Sequence, residues 1–308
     1  MSAPTTVLFD LPGPKARIRH AVIGVIGLIG IAGLLYLIIR GLARPDNSQL
    51  TAEKWLPFLD PSTWVSYLIP GLLKTLSAAG LAIVLSLVVG LLLGVGRLSQ
   101  LRVLRVVCGV LVEFFRAVPV LVLMIFAYYF ALFVLHLDSR QPFFGVVVGL
   151  TIYNSAVIAE LIRSGVHSLP AGQREAGLTI GLTQSQTMWT VLLPQAITAM
   201  LPSLISQLVV ILKDTALGYI ISFYDFVRAG QTFSNLHGNL IPVMIVMAAV
   251  FIVINYALTK VASYVEGRLR RGGRGPKPIS GGAGPEAGAV GVTAGAALGN
   301  ADNKGGGN

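Results

Sequence analysis

Length, composition and charge place this chain in a membrane before any motif is considered. It has 308 residues, of which 54% are hydrophobic and 12% charged, and its mean hydropathy is +0.77. Because a soluble domain usually carries about 25% charged residues, lipid must face much of this surface. The net charge of +10 would suit nucleic acid, but the basic residues cluster at the ends of apolar runs, which indicates membrane orientation and no nucleic-acid partner. A single cysteine, Cys108, excludes an internal disulfide, and four scattered histidines give no metal site.

The N-terminal segment reads as a retained membrane span and not as a signal peptide. Lys15, Arg17 and Arg19 precede Ala21–Ile39, which is 19 residues without a charge. A signal-peptide core is usually about 7–15 residues long and is followed by a small-residue cleavage site, and Arg40 comes next here. We therefore predict a cytoplasmic segment at 1–20 and an additional transmembrane helix at 21–40.

Six charge-free runs approach or reach the roughly 20 residues that cross a bilayer. They are Ala21–Ile39, Thr75–Gly96, Ala117–Leu135, Pro142–Ala159, Val191–Leu212 and Leu240–Thr259. Basic residues lie before the first run, between the second and third, between the fourth and fifth, and after the sixth. The positive-inside rule puts these four segments on one side, so the sequence predicts six spans with both termini in the cytoplasm.

Two segments flank the predicted core of 68–265. The outer segment 41–67 contains Trp55, Phe58, Trp64 and Tyr67, and such aromatics favour the headgroup region, which predicts a short helix on the outer surface. The tail 266–308 is rich in Gly, Ala, Pro and Asn. It has too few large apolar side chains to offset its ordering entropy, so we expect a disordered cytoplasmic tail.

A short polar segment between the fourth and fifth runs carries the most informative motif. Glu175-Ala176-Gly177 is followed by Gly181 and, ten residues later, by Val191-Leu192-Leu193-Pro194. Taken alone, it is compatible with an ordinary loop in which Gly and Pro break the helices. Its spacing resembles the EAA loop of ABC-importer permeases (Glu-Ala-Ala, three residues, Gly, nine residues, Ile-x-Leu-Pro), with Gly177 and Val191 as departures.

The resemblance extends over roughly residues 68–265. The stretches Tyr153–Ala156, Ala159–Gly165, Leu169–Ala176 and Leu212–Leu217 look like the polar amino acid uptake branch (HisM/GlnP-like) of these permeases, as does Glu113–Pro119. The N-terminal span and the aromatic outer segment look most like glutamate permease subunits of the GluD type. The resemblance implies an all-α membrane protein with a type I (MetI-like) five-helix core at 68–265, to which the first span is added.

The same resemblance implies function and partners. The EAA-like loop at about 165–194 would be the element on which an ABC ATPase dimer pushes, with Glu175, Ala176, Gly177, Gly181 and Pro194 as its coupling residues. Partners would be the ATPase subunits, a second permease chain and an extracytoplasmic amino acid-binding protein. Glutamate is the expected substrate, with glutamine or another polar amino acid as the alternative.

Four polar residues near the apolar runs are candidates for the translocation pathway. Lys213 and Asp214 close the fifth run, where they either face the pathway, meeting both ends of an amino acid, or lie at the headgroups. Asn154 and Arg116 are further candidates. Pairs three residues apart, Glu113 with Arg116 and Glu160 with Arg163, are expected to form interfacial salt bridges.

Absent motifs limit the other functions. Gly71-Leu72-Leu73-Lys74-Thr75 lacks the Gly before Lys of a phosphate-binding loop, so no ATPase, catalytic residue or cofactor is predicted in this chain. A secondary transporter would be expected to carry ionisable groups in mid-span or inverted repeats, and an intramembrane enzyme would need a catalytic dyad at depth. The charge-free runs favour neither.

Overall fold

The computed structural model describes residues 13–44 and 48–272, and helices joined by short turns and loops make up all of that part of the chain. The longer helices, numbered here in chain order, are α1 (Pro14–Leu42), α2 (Ile69–Arg97), α3 (Arg102–Ala117), α4 (Val120–Phe133), α5 (Gln141–His167), α6 (Ala171–Thr179), α7 (Leu193–Asp214), α8 (Phe226–His237) and α9 (Leu240–Gly272). Shorter helical turns extend α2 and α7 at their N-terminal ends. The predicted all-α class is confirmed.

Five helices are long and apolar enough to cross a membrane, and a sixth crossing requires α3 and α4 to count as one span. The predicted third span, Ala117–Leu135, is not a continuous helix, because α3 and α4 meet at 102°. Pro119 has no N–H and disfavours helical geometry in the residue before it, and Val118 is extended at φ −83°, ψ 129°. At 1.5 Å per residue α4 is about 21 Å long, shorter than a ~30 Å hydrocarbon core.

Helix α5 is the centre of the bundle, with α2, α3, α4 and α7 packed around it. Two glycines allow its neighbours to approach closely. A Cβ at Gly90 of α2 would lie 2.8 Å from Ile158, and one at Gly149 of α5 would lie 2.7 Å from the Met124 backbone of α4. In lipid the hydrophobic effect does not drive helices together, and close packing through small residues is a common way for them to associate.

The outer segment folds onto α8 and α9. It consists of Ala52–Trp55, the 3₁₀ turn Leu56–Leu59, Pro61–Thr63 and the π-helical turn Trp64–Leu68. Its Phe58 and Tyr67 rings lie 5.5 and 5.6 Å from the Phe233 ring of α8. Several short helical turns therefore stand where a short helix was predicted, and the location of this segment at the headgroups stays a prediction.

The two ends of the chain differ in how far the structure describes them. The apolar stretch of α1 is not buried against any other part of the described chain. Helix α9 continues to Gly272, seven residues past the predicted core boundary at 265. The predicted segment 1–20 lies outside the described residues for 1–12, and the predicted tail 266–308 for 273–308.

Candidate coupling helix and interior polar residues

The polar loop between the predicted fourth and fifth spans forms a short exposed helix, α6, closed by a tight turn. Leu182 N donates to Gly177 O at 3.2 Å and Gly181 N to Leu178 O at 3.0 Å, the double bond of a Schellman motif. Gly181 has φ +85°, a conformation that costs glycine little and other residues more. The turn reverses the chain so that the next residues pack beside α6.

The chain then re-enters the bundle through a continuous helical segment. Thr183 and Gln186 form a capping box at Gln184–Thr187, whose reciprocal bonds satisfy free N–H groups at the helix start. A π-helical turn, Met188–Leu192, leads directly into α7, where Pro194 occupies the first turn. Leu193 N donates to Met188 O, and this local π geometry accommodates the proline, which has no N–H to donate.

Helix α6 is attached to this segment at two points. Gln195 Nε2 of α7 donates to Gln173 Oε1 of α6 at 3.1 Å. Gly177, the buried residue of α6, lies against Thr187. Glu175 and Ala176 are exposed, and no salt bridge of Glu175 exists among the described residues. Helix α6 therefore exposes the Glu175 carboxylate, while its other side is attached to the N-terminal end of α7 and the segment before it.

A cluster of charges joins three helices near this base. Glu160 of α5 contacts Arg97 of α2 at 2.5 Å, Arg163 of α5 at 2.6 Å and Arg116 of α3 at 3.6 Å, and Glu113 contacts Arg97 at 3.2 Å. The predicted pair of Glu160 with Arg163 is confirmed. The predicted pair of Glu113 with Arg116 is wrong for the described structure, because each residue finds a partner on another helix.

The four pathway candidates do not meet at one site. Asn154 is fully buried in α5, where its Nδ2 donates to Leu150 O at 2.8 Å and its Oδ1 accepts from Gln207 Nε2 of α7 at 2.6 Å. Lys213 is exposed and Asp214 half-buried at the far end of α7. Arg116 lies with Glu160, about 9 Å along α5 from Asn154 at 1.5 Å per residue.

Sequence reasoning missed a polar face on α7. Five exposed polar residues lie at helical spacing along it, interspersed with the exposed Ala199, Pro202 and Val210: Gln195, Thr198, Ser203, Ser206 and Lys213. The i, i+3 and i+4 separations among all these residues were visible in the sequence as a sign of one face. Hydrocarbon is a poor solvent for such a face, so it indicates contact with protein or with water.

Comparison with known proteins gives a consistent result. Residues 86–271 match the family described as "Binding-protein-dependent transport system inner membrane component". The chain is 49% identical to the glutamate transport system permease protein GluD of Corynebacterium glutamicum, over 73% of this chain and 83% of that protein. It is 33% identical to the probable glutamine ABC transporter permease protein GlnP of Bacillus subtilis, over 66% and 94%.

Solved structures agree with the fold. The crystal structure of an amino acid ABC transporter with histidines matches with a TM-score of 0.62 and 28% identity, over 70% of this chain and 98% of that chain. The inward-facing MetNI methionine ABC transporter matches with a TM-score of 0.57 and 22% identity, over 68% and 98%, which supports the type I importer fold. The chain therefore belongs to the family of inner membrane components of binding-protein-dependent transport systems, the multi-pass permease subunits of ABC importers.

Proposed function

We propose that this chain is a permease subunit of an ATP-driven importer of polar amino acids whose substrate is glutamate. The observation that carries the substrate is the 49% identity to a glutamate transport system permease over 83% of that protein's length. Glutamine is the second candidate, since the chain is also 33% identical to a probable glutamine permease. Family membership favours this importer over the secondary transporter considered from sequence.

The assembly in this proposal contains two permease chains, two ATPase subunits at the cytoplasmic side and a binding protein outside. ABC-importer permeases work with an ATPase and a binding protein, and hydrolysis belongs to the ATPase. The exposed polar face of α7 supports the second permease chain, because a partner chain or a shared aqueous path would keep Gln195 and Ser203 out of hydrocarbon. Both chain termini lie in the cytoplasm, as the distribution of basic residues indicates.

Coupling in this proposal runs through α6. Glu175 would contact the ATPase, and Gly181 would set the turn that holds α6 beside the base of α7. The hydrogen bond between Gln173 and Gln195 and the contact between Gly177 and Thr187 support this role, because they would carry a displacement of α6 into α7. Closure of the ATPase dimer would then rotate the permease chains between inward-open and outward-open states.

Uptake in cells tests both the substrate and the coupling helix. A strain without this gene would be given labelled glutamate, and the parent strain would also receive unlabelled polar amino acids as competitors. We expect glutamate uptake to be lost and to return with the wild-type gene or with Glu53→Lys, a matched charge reversal in the outer segment. Glu175→Lys should not restore it.

The outcomes separate the parts of the proposal. Undiminished glutamate uptake in the deletion strain would overturn the substrate, and labelled glutamine would be tested next. Restoration of uptake by Glu175→Lys would instead overturn the coupling role of Glu175 while the substrate assignment stands.

A further inference from the structure

A cleft of about 660 Å³ lies on the outside of the bundle between α6 and the junction of α2 with α3. Its lining includes Arg97, Gln100 and Arg105 from the junction of α2 with α3, and Arg174, Glu175 and Gln184 from α6 and the segment after it. The cleft therefore separates the proposed coupling helix from α3, the helix that bends into α4. An occupant would touch both.

The charge of the cleft is positive and partly uncompensated. Arg105 and Arg174 are exposed, and neither forms a salt bridge among the described residues. Arg97, by contrast, is already paired with Glu160 and Glu113. Glu175 is the one acidic residue of the lining. Arg105 donates one hydrogen bond to Ser99 O at 3.4 Å, so both guanidinium groups keep N–H donors for a ligand, and such groups bind carboxylates in bidentate geometry.

We propose that this cleft receives an acidic segment of the ATPase subunit, with Arg105 and Arg174 binding its carboxylates. The inference rests on the proposed function, because it uses α6 as an ATPase contact. It adds a second contact point on α3. Since α3 is joined to α2 and α5 through Arg116, Glu160 and Arg97, an acidic group bound in the cleft would connect the ATPase to the bent α3–α4 pair as well as to α7.

An anionic lipid headgroup is the other ligand that shares this chemistry. An ATPase segment is favoured because much of the lining comes from α6 and the Gln184–Leu192 segment, which leave the bundle between two spans. A lipid headgroup would need only the cations on α3, whereas the lining of this cleft also carries an arginine on α6.

Binding of the purified ATPase subunit to the full-length permease assembly in nanodiscs tests this proposal. Arg105→Glu combined with Arg174→Glu should weaken binding by about tenfold, whereas the two Lys variants should stay within about threefold, because they keep the charge. Arg102→Glu, one turn away on α3 and outside the cleft, is the matched control and should bind as wild type. Wild-type affinity should also fall as NaCl rises.

Each outcome bears on the proposal. The proposal would be overturned if the double Glu variant bound the ATPase subunit with unchanged affinity. It would also be overturned if the affinity of the wild type did not change with NaCl concentration. A loss of affinity seen only in nanodiscs containing phosphatidylglycerol, and not in those of neutral lipid, would assign the arginines to lipid. The test uses no transported substrate, so its result can be interpreted whether or not glutamate is the substrate.

Discussion

Gly177 of α6 lies so close to Thr187 that a Cβ at position 177 would be 2.6 Å from Thr187 Cγ2 and 3.0 Å from its hydroxyl oxygen. Thr187 is 1% exposed, and its hydroxyl donates to Thr183 O at 3.0 Å. A β-branched side chain has few rotamers to move into. This contact explains why glycine stands where the EAA pattern has alanine: α6 approaches its neighbour too closely for a methyl group.

Gly177→Ala should therefore loosen the attachment of α6 to α7. Overpacking in a close contact costs about 1–3 kcal/mol, so we expect a lower Tm for the purified protein and reduced glutamate uptake. Thr187→Ala in the same chain should restore most of both, because it removes the two atoms that the new methyl would meet. If the double variant were no better than Gly177→Ala, the contact would not be the cause.

Glu160→Gln should destabilise the protein much more than Glu113→Gln. Glu160 is the shared partner of three arginines, and Arg97 beside it is only 10% exposed, whereas Glu113 is 71% exposed and has Arg97 as its partner. Leaving partly buried cations unpaired costs about 2–3 kcal/mol, and losing an exposed pair costs at most about 1 kcal/mol. Thermal unfolding of both variants in detergent measures the difference, and equal shifts in Tm would contradict it.

Much of this fold follows from local sequence. The first, second, fourth and sixth charge-free runs lie within α1, α2, α5 and α9, and the fifth begins in the π-helical turn that leads into α7, because run length is the property that a bilayer selects. The sequence also indicates the helix break at Pro119, since proline constrains the backbone of the residue before it. A count of uncharged residues does not register a proline, and the third predicted span therefore includes Pro119.

The ion-pair cluster and the outer segment could not be predicted in the same way. Arg97 and Glu160 are 63 positions apart, and only the packing of α2 on α5 brings them together. Likewise, the aromatic residues of the outer segment look identical in sequence whether they meet headgroups or Phe233. For both, the deciding partner is remote in the chain, and local spacing carries no information about it.

Asp225, between α7 and α8, should make stability depend on pH in an unusual direction. Its Oδ1 accepts from Arg228 N at 2.7 Å and caps α8, but its Oδ2 is buried without a hydrogen-bond partner among the described residues. Burial, opposed by hydrogen bonds from backbone N–H groups and by Arg228, raises the pKa of Asp225 from 3.8 to about 6. The folded state therefore binds more protons than the unfolded state between these values, and stability should fall as pH rises from about 4 to about 6.

Asp225→Asn tests that dependence, since asparagine keeps the capping oxygen without the charge. We expect the variant to be more stable than wild type at pH 7, by about 3 kcal/mol, and equal to it near pH 4. Thermal melting curves of both proteins between pH 4 and pH 7 would show whether the fall of stability with rising pH disappears in the variant. Parallel curves for the two proteins would exclude Asp225 as its source.

The bond between Asn154 and Gln207 should couple α5 to α7 inside the bundle. Interhelical hydrogen bonds in membranes contribute about 0.6–2 kcal/mol, and the 2.6 Å distance places this bond among the short ones. Asn154→Leu and Gln207→Leu should each destabilise the protein, while the double variant should be more stable than the sum of the two effects predicts. A double-mutant cycle on unfolding gives this coupling free energy, and simple additivity would show that the two side chains act independently.

Lys213→Ala should reduce glutamate uptake by about tenfold, an effect equivalent to ~1.4 kcal/mol, if the exposed ammonium at the end of α7 meets the substrate. The polar face of α7 leads to this residue, and a cation there would favour an anionic amino acid. Lys213→Arg, which keeps the charge, should retain most of the activity. Lys260→Ala is the matched control, because this lysine belongs to a different helix, α9, where its ammonium lies over the Tyr256 ring at 5.3 Å. Wild-type uptake by Lys213→Ala would place this side chain at the headgroups, where a long lysine reaches water without any part in transport.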